Sequence, residues 1–98
     1  MNDLLPPIIS EDLATLLPKL TALGFKPAGC RVTPEHFGNY IVEFEGKAVS
    51  FGVTRDRGQY LIEGEQTSLS KAGLFHAFED KRELERDLLF WLETLTDA

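Results

Sequence analysis

Cysteine is nearly absent from this 98-residue chain, which holds only Cys30. One cysteine cannot form an internal disulfide, and it has no second cysteine or histidine at the spacing of a zinc site. Disulfide-rich secreted scaffolds and structural zinc domains are therefore excluded, and the reducing cytoplasm is the expected location. An isolated cysteine usually packs as a small apolar residue, so we expect Cys30 to be a buried and unreactive thiol.

Long apolar runs are missing as well. No segment approaches the roughly 18 uninterrupted apolar residues that a membrane helix needs. Near the N-terminus Asp3 precedes the apolar residues, and Pro6 and Pro7 interrupt them, unlike the basic start and apolar stretch of a signal peptide. We therefore expect neither a membrane span nor export by a signal peptide.

Basic residues are outnumbered, with 10 Lys and Arg against 16 Asp and Glu and a formal net charge of −6. The averaged field of such a chain repels nucleic acids and anionic membranes, which excludes them as general partners. It attracts a basic protein surface, because opposite potentials speed encounter. Solubility alone is the other explanation of the acidity.

Patterns of catalytic residues are also lacking. Cys30 and His36 are a candidate nucleophile and base close together in sequence, and His76 stands among apolar residues. The glycines are dispersed without a phosphate-binding motif, and no cluster has metal-ligand spacing. We therefore predict a protein that is not an enzyme and uses no metal or cofactor, with a small thiol-dependent hydrolase as the enzymatic alternative.

The chain length fits one domain, residues 1–98, since halves of it could not bury a core without disulfides or metal. Ser10 before two acids predicts a helix N-cap, and leucines at helical spacing continue to Gly24, which predicts the stop. Pro18 predicts a kink or an early end.

Alternation dominates the middle of the chain. Apolar residues at every second position predict strands before and after an "EGK" tight turn, and a further strand at Tyr60 to Glu63. Prolines and glycines limit any earlier strand, around Cys30 to Thr33, to a short one near an edge. From Ser70 the pattern becomes helical, with an apolar group at Leu74, Phe75 and Phe78 and a long amphipathic closing helix.

These elements predict an α+β fold, an antiparallel three- to four-stranded β-meander packed against N-terminal and C-terminal helices. The residues expected to be mostly buried are Val42, Phe44, Val49, Phe51, Val53, Leu88 and Trp91.

The densest group of charges is "VTRDRGQY", where Arg55, Asp56 and Arg57 precede Gly58. Asp56 can bond the following amides and Gly58 can adopt a positive φ, so a solvated turn explains the motif. The functional interpretation is a partner-binding tip with two arginines. The strand alternation also directs glutamates away from the core. The candidate partner-binding residues are Glu43, Glu45, Glu63 and Glu65 on an acidic surface, flanked by Arg55, Asp56 and Arg57.

The run "FGNYIVEFEGKAVSFGVTRDRGQYLIE" and the closing "LFHAFEDKRELERDLLFWLETL" resemble small bacterial immunity proteins that accompany polymorphic toxins. The resemblance implies a protein that binds a cognate toxin and blocks it. The alternative is a cytosolic secretion chaperone or adaptor, a class that is also small, acidic and frequently dimeric. Both a monomer and a homodimer remain compatible with the sequence.

Overall fold

The four strands in the described part of the chain form one antiparallel sheet in which every strand lies beside its neighbour in sequence, in the order β1-β2-β3-β4. The computed structural model describes residues 5–33, 39–46 and 49–96. The elements are α1 (Pro7–Asp12), α2 (Leu16–Ala22), β1 (Lys26–Thr33), β2 (Asn39–Glu45), β3 (Ser50–Asp56), β4 (Gln59–Glu63), α3 (Gln66–Lys71) and α4 (Lys81–Thr96). The predicted α+β fold with a β-meander between helices is confirmed.

One face of the sheet carries the core. Alternate residues of β2, β3 and β4 are buried together with the apolar sides of the helices. At the centre, Phe51 stacks on Phe44 with ring centroids 5.3 Å apart, and the edge of Phe25 meets Phe51 at the same distance. Six of the seven predicted core residues are buried, whereas Val49 is half-buried. Val49 precedes β3 in the hairpin loop, where its carbonyl accepts from the Gly46 amide at 3.2 Å.

The predicted N-terminal helix is two short helices. α1 begins at Pro7, not after Ser10, because proline has a fixed φ suited to the first helical position and needs no donor there. The helices are separated at residues 13–15 rather than kinked at Pro18, which lies third in α2. The first-turn amides of a helix have no intrahelical partner, so proline is tolerated there. Gly24 ends the segment with φ of 92°, as predicted.

β1 is longer than predicted and lies at the sheet edge, as predicted. Its register with β2 shifts between Pro27 and Gly29, so that Ala28 is an extra residue on β1. The prediction of a buried thiol is wrong, because Cys30 is exposed. Residues 28–31 are all exposed, so the buried layer does not extend over this part of the edge strand.

The helical pattern after Ser70 is correct for only part of the chain. α3 precedes an irregular segment, and α4 follows it. Within that segment Leu74 and Phe78 are buried but Phe75 is exposed, so they do not form one apolar group. Phe78 instead exchanges two backbone hydrogen bonds of 2.7 Å with Tyr60, which attaches the segment to the edge of β4. The amphipathic closing helix is confirmed, with Leu84, Leu88, Trp91 and Leu92 buried.

Candidate functional site

The face of the sheet that points away from the helices is here called the outer face. Strand register places these residues on it: Lys26, Gly29, Arg31, Ile41, Glu43, Glu45, Ser50, Gly52, Thr54, Leu61 and Glu63. Three of the predicted partner-binding glutamates therefore lie on one surface, Glu43 and Glu45 on β2 and Glu63 on β4, with β3 between these strands. The two cations at its margin, Lys26 and Arg31, both belong to the edge strand β1.

A row across the outer face alternates glycine with glutamate, because Gly29 pairs with Glu43, Glu43 with Gly52, and Gly52 with Glu63. A Cβ at Gly52 would lie 3.3 Å from the Val42 carbonyl oxygen and 3.5 Å from the Glu63 Cβ. A depression of about 370 Å³ includes Gly52 and has Glu43, Glu45 and Glu63 along its sides. Gly52 itself is buried beneath the neighbouring glutamates, so a partner side chain can lie in the depression above it, between two carboxylates.

The glutamates of the outer face differ in their contacts. Glu45 lies 3.6 Å from the Lys26 ammonium, and both side chains are largely exposed. Glu63 accepts a hydrogen bond of 3.3 Å from the Thr54 hydroxyl. The Glu43 side chain has no ion pair or hydrogen bond with any residue that the structure describes. Such weakly held carboxylates keep most of their capacity to accept hydrogen bonds from a partner.

Glu65, the fourth predicted glutamate, is used for a different purpose. Its carboxylate caps α3 and accepts from the Thr67 amide at 2.6 Å and the Ser68 amide at 3.3 Å. The hydrogen bond from the Thr67 backbone, followed by those from Ser68, lowers the pKa of Glu65. Sequence reasoning missed this cap, although an acceptor two and three residues before unpaired helix amides is a known signal.

The structure separates the two arginines of the predicted tip. Arg55 pairs in register with Tyr40 and Tyr60 and so belongs to the core side of the sheet. Its guanidinium lies 5.8 Å from the Tyr60 ring centroid, and its side chain is 31% exposed, against 91% for Arg57. The interpretation of both arginines as one exposed tip is therefore wrong, because Arg55 is half-buried and paired with Asp12 on the core side, whereas Arg57 lies in the loop beyond β3 and is exposed.

The turn itself is a two-residue hairpin loop. Arg57 and Gly58 have φ values of 55° and 80°, which is the pattern of a type I′ turn. Gly58 adopts the predicted positive φ, but Asp56 does not bond the following amides as expected. The side chain of Asn39, on β2, takes this role. Its oxygen accepts from the Arg57 amide at 3.0 Å, and its nitrogen donates to the Asp56 carboxylate at 3.1 Å.

A second polar cluster, which the sequence did not reveal, surrounds Asp12 at the end of α1. Its carboxylate accepts from the Tyr40 hydroxyl at 2.7 Å, the Tyr60 hydroxyl at 2.9 Å and the Lys81 ammonium at 3.2 Å. Arg55 adds a cation at 3.6 Å. The signal that could have revealed it is an acid at a helix C-terminus, a position that the helix dipole disfavours unless cations compensate.

These contacts alter the protonation of the cluster. Burial alone would raise the pKa of Asp12, but the hydrogen bonds from Tyr40, Tyr60 and Lys81 and the charge of Arg55 outweigh it and lower that pKa. Burial first, and the hydrogen bond to Asp12 second, raise the pKa of Tyr60 to about 12 and that of Tyr40 further. The carboxylate is thus held as an anion among donors, an arrangement that joins α1 to the sheet and to α4.

The proposed nucleophile and base cannot be compared directly. His36 lies outside the described residues, and Cys30 is exposed on β1. The other histidine, His76, lies against Phe78 with ring centroids 4.2 Å apart. Within the described ranges no three His, Cys, Asp or Glu side chains are grouped as metal ligands would be.

Compared with known proteins, the chain matches no family model, no curated protein and no solved structure. None of the helices in the described residues combines the length and the apolar composition that a membrane crossing requires. The chemistry of its own surface is therefore the guide to its function.

Proposed function

We propose that the protein is a non-catalytic domain that binds a basic protein surface through the outer face of its sheet. The observation that carries this proposal is the placement of Glu43 and Glu45 on β2 and Glu63 on β4, on either side of β3, on a face that no described helix covers. On a buried face, packing against other elements would account for the choice of residues. An open face with carboxylates around a depression is instead suited to a cationic ligand.

The depression over Gly52 defines the chemistry of the contact. A lysine or arginine of the partner can lie across the glycine, with its charge between Glu43 and Glu63 and its aliphatic part against Ile41 and Leu61. Arginine suits the site best, because its planar donors bind carboxylates in pairs. The net charge of −6 adds long-range attraction to such a partner.

Arg57 supplies a flanking contact of opposite sign. Its side chain extends into solvent from the β3–β4 turn, and its backbone holds a left-handed conformation that non-glycine residues seldom adopt. A residue retained in such a conformation is a candidate for a role outside the fold. In this proposal Arg57 pairs with a carboxylate at the rim of the partner's basic surface.

The resemblance to immunity proteins suggests the form of this function, a cytoplasmic inhibitor that binds and blocks a toxin domain with a basic surface. An exposed thiol such as Cys30 stays reduced in that compartment. The secretion chaperone or adaptor remains the second form, and the open edge of β1 is the observation that favours it, because an unpaired strand can receive another chain.

The test begins with capture of partners on immobilised protein from a lysate of the native cells. The captured protein is then purified and its association rate measured with wild type and with the Glu45→Lys/Glu63→Lys variant. We expect the reversal to slow association about ten-fold or more and to weaken its salt dependence, because exposed charges act on the encounter rate.

A control variant, Glu11→Lys/Glu83→Lys, changes the net charge equally but lies on α1 and α4. It should alter the rate about two-fold at most if location and not total charge decides binding. The proposal fails if no stoichiometric partner is recovered, or if both variants slow association alike. Catalytic turnover of a captured partner by the wild type would also contradict it.

A further inference from the structure

The two edges of the sheet are not equivalent. The edge of β4 is occupied at Tyr60, whose backbone amide and carbonyl bond Phe78. β1 pairs only with β2 among the described residues, although it is the longest strand with eight residues. Its exposed residues 28–31 leave both faces of the strand accessible beside its unpaired edge. Such an edge can accept a further antiparallel strand.

Two charges beside this edge are unsatisfied and complementary. The side chain of Arg31, on β1, makes no ion pair or hydrogen bond with the described residues, and the same holds for the side chain of Glu43 on β2. A Cβ at Gly29 would lie 3.8 Å from the Glu43 Oε1, so this carboxylate leans over the glycine toward the open edge. Gly29 therefore leaves a gap through which an arginine from beyond the edge can reach Glu43.

We propose that two copies of the chain form a symmetric dimer by antiparallel pairing of β1 with β1. Cys30 lies opposite Cys30 of the partner subunit at the two-fold axis. Arg31 then lies opposite Gly29 of the partner subunit and pairs with Glu43 of the partner subunit. The symmetry repeats this ion pair on the other side of the axis.

Symmetry and charge determine the register. Side chains directly opposite each other in an antiparallel pair lie on the same face, so the two-fold axis passes beside a residue and not between two residues. An axis at Arg31 would bring two arginines together, which is unfavourable. An axis at Cys30 instead places Arg31 of each copy opposite Gly29 of the other copy. Glu43 lies on the next strand beyond that glycine, one strand spacing of about 4.8 Å further on.

The dimer goes beyond the proposed function and shares one residue with it, Glu43, whose carboxylate would contact Arg31 of the partner subunit as well as a cationic side chain lying over Gly52. The two-fold axis is perpendicular to the sheet, so both outer faces lie on the same side of one eight-stranded sheet. Glu45 and Glu63 are not part of the β1 contact and stay available in both copies. An interface of this size belongs below about 1,200 Å², where association is weak and depends on concentration.

Sedimentation equilibrium over micromolar to millimolar concentrations tests the proposal. We expect the mass of the wild type to rise from one chain toward two. Arg31→Glu or Glu43→Arg alone should weaken the dimer about ten-fold or more, because each turns two attractions into two repulsions. The combined Arg31→Glu/Glu43→Arg variant should restore it, which a merely structural role of either residue would not produce. Circular dichroism establishes that all variants are folded.

Cross-linking with a short bismaleimide provides the second measurement. The reagent should link Cys30 to Cys30 of the partner subunit in the wild type and in the combined variant. It should link the two subunits poorly in the Arg31→Glu and Glu43→Arg single variants. A wild-type mass of one chain at every concentration would overturn the proposal. A dimer that ignores both single substitutions, or that is not linked through Cys30, would overturn it equally by placing the contact elsewhere. The Glu45→Lys/Glu63→Lys variant should dimerise normally, so loss of partner binding and loss of the dimer are separable.

Discussion

At the scale of single residues, Asp12 shows how one side chain can join distant parts of the chain. It lies 28 residues from Tyr40, 48 from Tyr60 and 69 from Lys81, yet all three donate to its carboxylate. The Asp12 side chain is only 14% exposed. If the carboxylate were removed, few water molecules could reach these donors and accept their hydrogen bonds in its place. Asp12 therefore holds the C-terminal end of α1 against the sheet.

We predict that Asp12→Asn lowers the free energy of unfolding by about 2 to 4 kcal/mol at neutral pH, because two phenols and two cations lose an anionic acceptor. Glu11→Gln, one position earlier and exposed, should change it by less than about 0.5 kcal/mol. Urea denaturation measures both. Equal midpoints for wild type and Asp12→Asn would show that the cluster contributes nothing to stability.

The same residue predicts a pH dependence. The pKa of Asp12 is lowered in the folded protein from its usual value of 3.8. Its contribution to stability is therefore complete above that value and is lost as the pH falls through the lower, folded-state pKa. The stability difference between wild type and Asp12→Asn should narrow below about pH 4. A difference that stays constant down to pH 2 would mean that the charge of Asp12 is not what stabilises the fold.

At the scale of elements, the β3–β4 hairpin joins two strands with a two-residue loop whose backbone shape disfavours the residue at its first position, Arg57. Type I′ turns need positive φ at both loop positions, which asparagine followed by glycine meets best. Both residues adopt positive φ, but only Gly58 does so without strain, since a non-glycine residue such as Arg57 rarely takes this conformation. Asn39 partly offsets the strain, since it bonds the backbone and not the side chain of Arg57.

We expect Arg57→Asn to stabilise the protein by about 0.5 to 1 kcal/mol, which corresponds to a few degrees in Tm for a domain of this size. Arg57→Val is the matched control and should destabilise, because β-branched residues avoid positive φ. Thermal denaturation of both variants measures whether Tm rises for Arg57→Asn and falls for Arg57→Val. If Arg57 contacts the partner, Arg57→Asn should weaken binding while it raises Tm, whereas a parallel loss of both would contradict this account of the turn.

At the scale of the whole molecule, the fold has a helical layer on one side of the sheet and none among the described residues on the other. α2 and α4 are joined through Glu85, which accepts from Thr15 and Lys19 at 2.7 Å each. Beneath them, the aromatic group of Phe25, Phe44 and Phe51 connects the chain before β1 to the two central strands. Stability is therefore concentrated on one face, and the other is left for contacts.

We predict that Phe51→Ala lowers the free energy of unfolding by about 3 to 5 kcal/mol, since it removes a buried ring that contacts two others. Phe90→Ala, at a ring that is 69% exposed on α4, should change it by less than about 0.5 kcal/mol. Chemical denaturation measures the free energy of unfolding of both variants and of the wild type. A loss under about 1 kcal/mol for Phe51→Ala would be inconsistent with this core.

The sequence by itself determined the elements whose signals are local. Alternation over residues 39–63 specified the central and last strands and their buried sides, and helical spacing specified the closing helix, because these periods reflect backbone geometry within a few residues. It also placed Glu43, Glu45 and Glu63 on one face. The cap that Glu65 provides for α3 is local as well, although sequence reasoning missed it. Only the tertiary structure decided that Asp12 meets Arg55 and that Cys30 is exposed. These outcomes depend on where the helices lie over the sheet and which edge they leave open, and such packing is set by contacts between residues far apart in the chain.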